Sequence, residues 1–175
     1  MKNQFKLCLF GILIFTAASC NKDEDPVTNG SIVGQWRMTD IHSNNGVLET
    51  TIGGETINAT YSFHGTDYNT ITTFTENPNE FSSTGSYTSL TDFVIQGQTE
   101  HDTSVVDAFA GTGTWSINGT KLTQIFSGDT SIFDILELSG SKLRLQANID
   151  ETVEDSTFDI FIHDRATVFS TFEKQ

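Results

Sequence analysis

Cysteine, proline and basic residues are all scarce in this sequence. The chain has two cysteines, Cys8 and Cys20, and two prolines among 175 residues, with 9 Lys and Arg against 23 Asp and Glu. Both cysteines lie within the first 20 residues, so the rest of the chain has no disulfide and must be stabilised by burial. The formal net charge of −14 argues against nucleic acid or an anionic membrane surface as a partner, and suits solubility or a cationic partner.

Recognisable catalytic signatures are also absent. The sequence contains no Gly-x-Ser-x-Gly, no His-Glu-x-x-His and no phosphate-binding glycine loop, and its four histidines have no zinc-ligand spacing. The acidic segments 23–25 and 150–155 lack the spacing of a calcium-binding loop. We therefore expect no enzymatic activity, no metal and no cofactor. The first place to look for an exception is Glu100-His101-Asp102, which could form a metal or acid–base site.

The first 19 residues have the pattern of a secretory signal peptide. Leu7–Phe15 is an apolar stretch much shorter than the roughly 20 residues that span a bilayer, but of the length that signal peptides use. Ala17-Ala18-Ser19-Cys20 follows it and resembles the lipobox of bacterial lipoproteins. The resemblance implies that residues 1–19 are removed and that Cys20 carries acyl chains, such as palmitate, that anchor the protein to a membrane.

Residues 20–30 have the composition of a flexible acidic tether. Lys22, Asp23 and Glu24 follow the cysteine almost directly and resemble the surface-export signal of Bacteroidetes lipoproteins. That resemblance implies an outer-membrane protein exposed on the cell surface. The alternative is an ordinary tether on a lipoprotein that faces the periplasm.

The remaining chain, residues 31–175, is expected to form one domain that is almost entirely β. No window shows helical periodicity, whereas alternating segments rich in Thr, Ile, Val, Phe and Tyr recur between Gly-containing and Asn- or Pro-containing turns. Gln96–Ala110 has no clear period and is predicted to be a long loop. About eight to ten antiparallel strands predict a closed barrel, with a β-sandwich as the alternative. The predicted strands are Ile32–His42, Thr56–Phe63, Tyr68–Thr75, Phe81–Ser89, Gly111–Ile117, Leu122–Phe126, Ile132–Leu138, Leu143–Ala147, Thr157–Ile162 and Thr167–Phe172.

Two Gly-x-Trp segments give the sequence a family resemblance. Gly34-Gln35-Trp36 near the start of the domain and Gly113-Thr114-Trp115 in its middle look like the strands of lipocalin-like lipoproteins. The resemblance implies a barrel plugged at one end by Trp, with Gly leaving room for the indole, and a stacked arginine for which Arg165 and Arg144 are the candidates. The alternative is that both tryptophans are ordinary core residues.

The same resemblance implies a barrel cup that binds a small apolar or amphipathic ligand. Aromatic residues on apolar strand faces are the candidates for its lining: Phe63, Tyr87, Phe93, Phe126 and Phe161. A barrel filled by its own side chains would instead favour a surface interaction module without catalytic activity. A void above roughly 300 Å³, the lower end of ordinary ligand pockets, would favour the carrier.

Overall fold

The computed structural model describes residues 27–108, 111–155 and 160–175, and within these ranges the only regular elements are strands. No helix in these ranges has the length and apolarity needed to cross a membrane. The strands are β1 (Val27–Thr28), β2 (Gly34–Ile52), β3 (Glu55–Thr66), β4 (Ile71–Thr75), β5 (Glu80–Thr84), β6 (Ser86–Ile95), β7 (Gln98–Asp107), β8 (Thr112–Asn118), β9 (Lys121–Phe126), β10 (Asp129–Leu138), β11 (Lys142–Asp155) and β12 (Ile160–Lys174).

Eight of these strands close into an antiparallel barrel. Their order is β2, β4, β5, β8, β9, β10, β11 and β12, and β12 returns to pair with β2. The last strand closes the ring through pairs such as Trp36 with Lys174 and Met38 with Phe172. The barrel prediction is therefore confirmed and the sandwich alternative is excluded.

Strand β2 is 19 residues long and belongs to two parts of the fold. Its first residues pair with β4 inside the barrel, whereas His42, Ser43 and Gly46–Ile52 pair with β3. Strand β3 pairs with β6, and β6 pairs with β7. Together with the distal residues of β2, β11 and β12, these strands form an open antiparallel sheet that we call the projecting sheet, in the order β11, β12, β2, β3, β6, β7.

The prediction of a long loop at Gln96–Ala110 was wrong. Gln98–Asp107 is a regular ten-residue strand, β7, which pairs with β6 along its whole length. The predicted strand Phe81–Ser89 is in turn divided at Gly85, whose φ of 86° ends β5 and begins β6. A Cβ at Gly85 would overlap the backbone of Asn69, so the break requires glycine. The turn predicted around Pro78 is confirmed between β4 and β5.

The apolar core fills one end of the barrel, which we call the packed end. Its inward-facing residues lie on nearly every barrel strand, as strand alternation requires. The most deeply buried are Ile32, Trp36, Phe74, Phe81, Leu122, Ile135, Leu138 and Leu143. Strand β1 joins the barrel at this end, because Val27 and Thr28 pair with Glu137 and Leu138.

Candidate ligand-binding site

A partly enclosed cavity of about 280 Å³ lies inside the barrel, between the packed end and the base of the projecting sheet. Its walls are largely apolar and come from seven barrel strands, while residues of β6 and the end of β7 cover its mouth. The lining residues are Met38, Ile41, Thr70, Thr72, Phe74, Ser83, Tyr87, Val106, Asp107, Ala108, Gln124, Phe133, Leu143, Leu145, Ala147, Val168, Ser170 and Phe172.

Strand alternation explains which side chains line the wall. On β11 the residues Leu143, Leu145 and Ala147 lie two apart and all face the cavity. They pair across the strands with Phe172, Ser170 and Val168 of β12, which face it as well. The intervening residues point away from the barrel. This wall therefore follows from the register of two paired strands.

Trp36 lies beneath the cavity floor, two residues before Met38 on the same face of β2. Its side chain is 0% exposed, and its indole N–H donates to the carbonyl oxygen of Ile32 over 2.6 Å. The ammonium of Lys174 sits 5.1 Å from the centre of the ring. Gly34 makes room for this arrangement, because a Cβ there would lie 2.9 Å from Cε of Lys174.

The expectation that Arg165 stacks on Trp36 was therefore wrong, and Arg144 does not occupy that position either. Arg165 pairs with Val47, whereas Trp36 pairs with Lys174, nine residues further along β12. At roughly 3.3 Å per residue, that difference in register separates Arg165 from the indole by about 30 Å. The cation over Trp36 is the penultimate residue of the chain.

Trp115 supports the cavity wall from one side. It packs edge-on against Phe74, a lining residue, with the ring centres 6.0 Å apart, and its indole N–H donates to the carbonyl oxygen of Thr75 over 2.9 Å. Gly113, on the same strand, is buried where a Cβ would overlap the ring of Phe81. The second Gly-x-Trp segment thus gives space to a neighbouring core ring.

Tyr87 lies at the mouth of the cavity and packs against a second tyrosine, Tyr68. The rings of Tyr68 and Tyr87 stack with their centres 6.4 Å apart. The Tyr68 hydroxyl donates to the carbonyl oxygen of Gly65 and accepts from the backbone N–H of Ile41. Burial, reinforced by the neighbouring Tyr68, raises the pKa of Tyr87 above its ordinary value. Tyr87 therefore stays neutral at physiological pH and remains a hydrogen-bond donor beside the cavity.

The polar groups of the wall are few and differ in their hydrogen bonding. The hydroxyls of Thr72 and Ser83 lie 2.8 Å apart and satisfy each other. Thr70 is 6% exposed, and its hydroxyl oxygen, which is inaccessible, has no hydrogen-bond partner among the described residues. Since nearly all buried polar groups in native proteins are paired, the Thr70 hydroxyl is an unsatisfied group buried behind the surface of this wall.

Of the five aromatic residues predicted to line a cavity, only Tyr87 does so. Phe126 packs against the core, and Phe93 contacts Tyr61 on the projecting sheet. Phe161 lies beside His163 at the far end of β12, and Phe63 is on β3, opposite Ser43. Aromatic residue type was therefore the wrong criterion for choosing the lining residues. Strand alternation is a better one, since a step of two residues from the buried Trp36 reaches the lining residue Met38.

Three of the four histidines, His42, His101 and His163, each pair with a single aspartate. His101 Nδ1 lies 2.6 Å from Asp92 Oδ1 on the exposed edge of the projecting sheet, and Glu100 and Asp102 occupy the opposite face of β7. His163 pairs with Asp150 over 2.7 Å. Among the described residues no group of three or more potential metal ligands converges. The predicted residues Cys20, Lys22, Asp23 and Glu24 lie outside the described ranges.

A wider depression of about 510 Å³ lies on the other face of the projecting sheet, between Asn45, Thr60 and Asp92. It is more open and more polar than the barrel cavity, so it would bury much less of a ligand's surface. The barrel cavity is the better candidate, because small-molecule sites are enclosed and mostly apolar with a few placed polar groups.

The sequence was compared with known protein families, curated proteins and solved structures. A family model described as a lipocalin-like domain matches residues 32–145, well over half of the chain. No curated protein and no solved structure gave a significant match. The matched segment ends at Leu145, although the barrel closes only with the rest of β11 and with β12.

Proposed function

We propose that this chain, which belongs to the lipocalin-like domain family, binds a small amphipathic molecule in its barrel cavity. The observation that carries the proposal is a partly enclosed barrel cavity whose wall is largely apolar and includes a few polar side chains, among them Tyr87, Gln124 and Ser170. A ligand with an apolar body and one polar group would fill the cavity and place its polar group beside these side chains. Members of this family are typically non-catalytic binding domains, which agrees with the absence of catalytic motifs in the sequence.

The volume of the cavity limits the size of the ligand. At about 280 Å³ it is slightly below the range of roughly 300–1,000 Å³ that is usual for small-molecule pockets. The filled-barrel alternative requires a packed interior, whereas this interior is packed only around Trp36 and its neighbours. A compact molecule, with a short chain or a few rings, fits these dimensions better than a long acyl chain.

The proposal includes a place in the cell envelope, supported by the N-terminal sequence alone. Cys20 would carry the lipid anchor, and Lys22, Asp23 and Glu24 would direct the protein to the outer surface of the outer membrane. Radiolabelled palmitate should be incorporated into the full chain and not into the Cys20→Ser variant. Alanine at the three export positions should reduce the digestion of the protein by protease added to intact cells. Failure of Cys20 to take up label would refute the anchor and leave the cavity proposal standing.

Displacement of a fluorescent apolar probe, N-phenyl-1-naphthylamine, would test the cavity directly. Primary alcohols of increasing length should compete with the probe until their chains exceed the cavity, beyond which affinity should stop rising. Native mass spectrometry of protein purified from its own envelope without refolding should also show a co-purified small mass.

Neighbouring residues on β11 provide matched variants for the displacement assay. Ala147→Phe places a ring in the cavity, whereas Gln146→Phe places the same ring on the outer surface, because adjacent residues of a strand face opposite sides. Probe binding should be lost in the first variant and kept in the second. Equal binding by both would place the probe elsewhere and contradict the proposal.

A further inference from the structure

The projecting sheet ends in a strand edge that no other described strand covers. Strand β7 pairs with β6 on one side, and along its ten residues no described strand pairs with the other side. Every residue of β7 is exposed. The backbone N–H and C=O groups on that side therefore form a regular row that another extended chain can pair with.

Strand β7 lacks several of the devices by which natural sheets protect such edges, and its carboxylates, on Glu100, Asp102 and Asp107, would repel another acidic edge but attract a basic strand. The strand contains no proline and no lysine, and its register with β6 runs from Gln98 to Asp107 without a bulge. Proteins that must avoid edge pairing usually keep edge strands short, bulged or lysine-bearing. A long and regular edge is instead the feature used by domains that bind peptides by strand addition.

The chemistry of the two faces specifies the partner. The inner face of the projecting sheet continues from the cavity wall, because Val106 lines the cavity and the alternate residues Glu100 and Asp102 share its side of β7. On the other face, Thr103 and the 68% exposed Val105 present β-branched side chains. Strand β7 therefore offers Glu100 and Asp102 on one face, and Thr103 and Val105 between His101 and Asp107 on the other, and it contains no Lys or Arg.

The other edge of the same sheet has the same charge. The distal part of β11 has no described strand on its outer side, and Asp150, Glu151 and Glu154 lie along it. Like charges directly opposite each other across strands are destabilising, and opposite charges are favourable. A second copy of this acidic chain is thus a poorer occupant than a cationic strand.

We propose that β7 is a docking edge for an extended basic peptide, which adds antiparallel to it. The peptide carries Lys or Arg opposite Glu100 and Asp102, and Thr or Val on its other face opposite Thr103 and Val105. Main-chain hydrogen bonds supply most of the affinity, and the alternating side chains supply the specificity.

The probe is a capped ten-residue peptide that alternates Lys with Thr or Val, titrated against the full chain. Hydrogen exchange of the amides in residues 98–107 should slow when the peptide binds. Two control peptides carry backbone N-methyl groups, one on every Lys and one on every Thr and Val. Because alternate N–H groups of a strand point to opposite edges, one control should lose binding and the other should keep it.

Charge reversal tests the face that specifies the partner. Glu100→Lys with Asp102→Lys should weaken peptide binding about tenfold. Glu76→Lys with Asp129→Lys makes the same change in net charge at exposed sites away from the projecting sheet and should leave affinity within about twofold.

Several outcomes would overturn the proposal. Equal binding of both N-methylated peptides would show simple charge attraction rather than strand addition. If hydrogen exchange of the β7 amides slows as the protein concentration rises, in the absence of peptide, the occupant is a second copy of the chain. Slower exchange of β7 with phosphatidylcholine vesicles and not with peptide would identify a lipid surface. These tests do not depend on the cavity, so their failure leaves the ligand-binding proposal untouched.

Discussion

Replacing Thr70 by valine should stabilise the unliganded protein. The two side chains have the same shape and similar χ1 preferences, so the substitution chiefly removes a hydroxyl. That hydroxyl is buried without a partner among the described residues, and an unsatisfied buried polar group costs about 1–3 kcal/mol. We therefore expect Thr70→Val to raise the free energy of unfolding by about 1 kcal/mol or more.

The neighbouring Thr72 provides a control with the opposite sign. Its hydroxyl and that of Ser83 satisfy each other over 2.8 Å. Thr72→Val makes the same chemical change but leaves the Ser83 hydroxyl unpaired in a buried position, which should cost about 1–3 kcal/mol. The two variants should therefore differ in stability by roughly 2 kcal/mol or more, although they lie two residues apart.

Urea unfolding monitored by tryptophan fluorescence would measure both effects. With the slope of 1–3 kcal/mol per molar urea that is typical of small domains, a change of 1 kcal/mol moves the midpoint by about 0.3–1 M. Because the Thr70 hydroxyl oxygen is inaccessible from the cavity, the same Thr70→Val variant should bind an alcohol ligand with unchanged affinity. A destabilised Thr70→Val protein would refute the assignment of an unsatisfied hydroxyl at this position.

Three further predictions concern the packing and protonation of the fold. Gly113→Ala should cost about 1–3 kcal/mol of stability because its Cβ overlaps a core ring, while Gly140→Ala, with open space around it, should be nearly neutral when both are compared by thermal unfolding. Lys174→Met should lose about 0.5–1 kcal/mol, because it removes the cation over Trp36 and keeps an apolar chain; an unchanged unfolding midpoint would contradict this. Burial, and then a hydrogen bond to the Asp164 carboxylate, raise the pKa of Tyr61 well above its ordinary value of 10.0. The folded chain therefore holds the Tyr61 proton more tightly than the unfolded chain does. The resulting contribution to the free energy of unfolding is complete below pH 10 and is lost as the pH rises above it. Tyr61→Phe should therefore lose stability less steeply above pH 10 in urea titrations, and a slope equal to that of the parent chain would contradict the assignment.

The barrel could be predicted from the sequence because its strands alternate between a buried and an exposed face. Trp36 and Met38 on β2, and Leu143 and Leu145 on β11, all point inward as their spacing indicates. Turns such as Ser127-Gly128, where both residues have positive φ, also mark hairpins reliably. Local spacing sufficed here because one face of each strand contacts the core.

The projecting sheet could not be predicted in this way. Strand β7 is exposed on both faces, so it has no apolar periodicity, and only its pairing with β6 makes it a strand. Asn44-Asn45-Gly46 has the composition of a turn, yet β2 continues through it with a shift of register. Position 46 requires glycine, because the ring of Tyr61 occupies the space that a Cβ would need. That contact depends on a neighbouring strand and is invisible in the sequence of β2.

The identity of the cation over Trp36 shows a similar limit. Arg165 is a better cation–π partner than lysine in general, so residue type favoured it. The register between β12 and β2 nevertheless places Lys174 opposite Trp36, after two irregularities in the pairing. An error in the count of bulges moves every later residue of a strand pair to a different partner. Long-range contacts at the closing strand therefore depend on details that alternation does not encode.

The two ends of the molecule have consequences for how the proposed anchor and the proposed sites work together. Strand β1 begins seven residues after Cys20 and pairs with β10 at the packed end, and seven residues extend at most about 25 Å. With Cys20 lipidated as proposed, the packed end stays close to the membrane. The cavity mouth and the projecting sheet lie towards the other end of β2, whose 19 residues extend about 60 Å. The ligand and the peptide would then both arrive from the aqueous side. Transfer of a ligand between the cavity and the anchoring bilayer would require the domain to tilt towards the membrane.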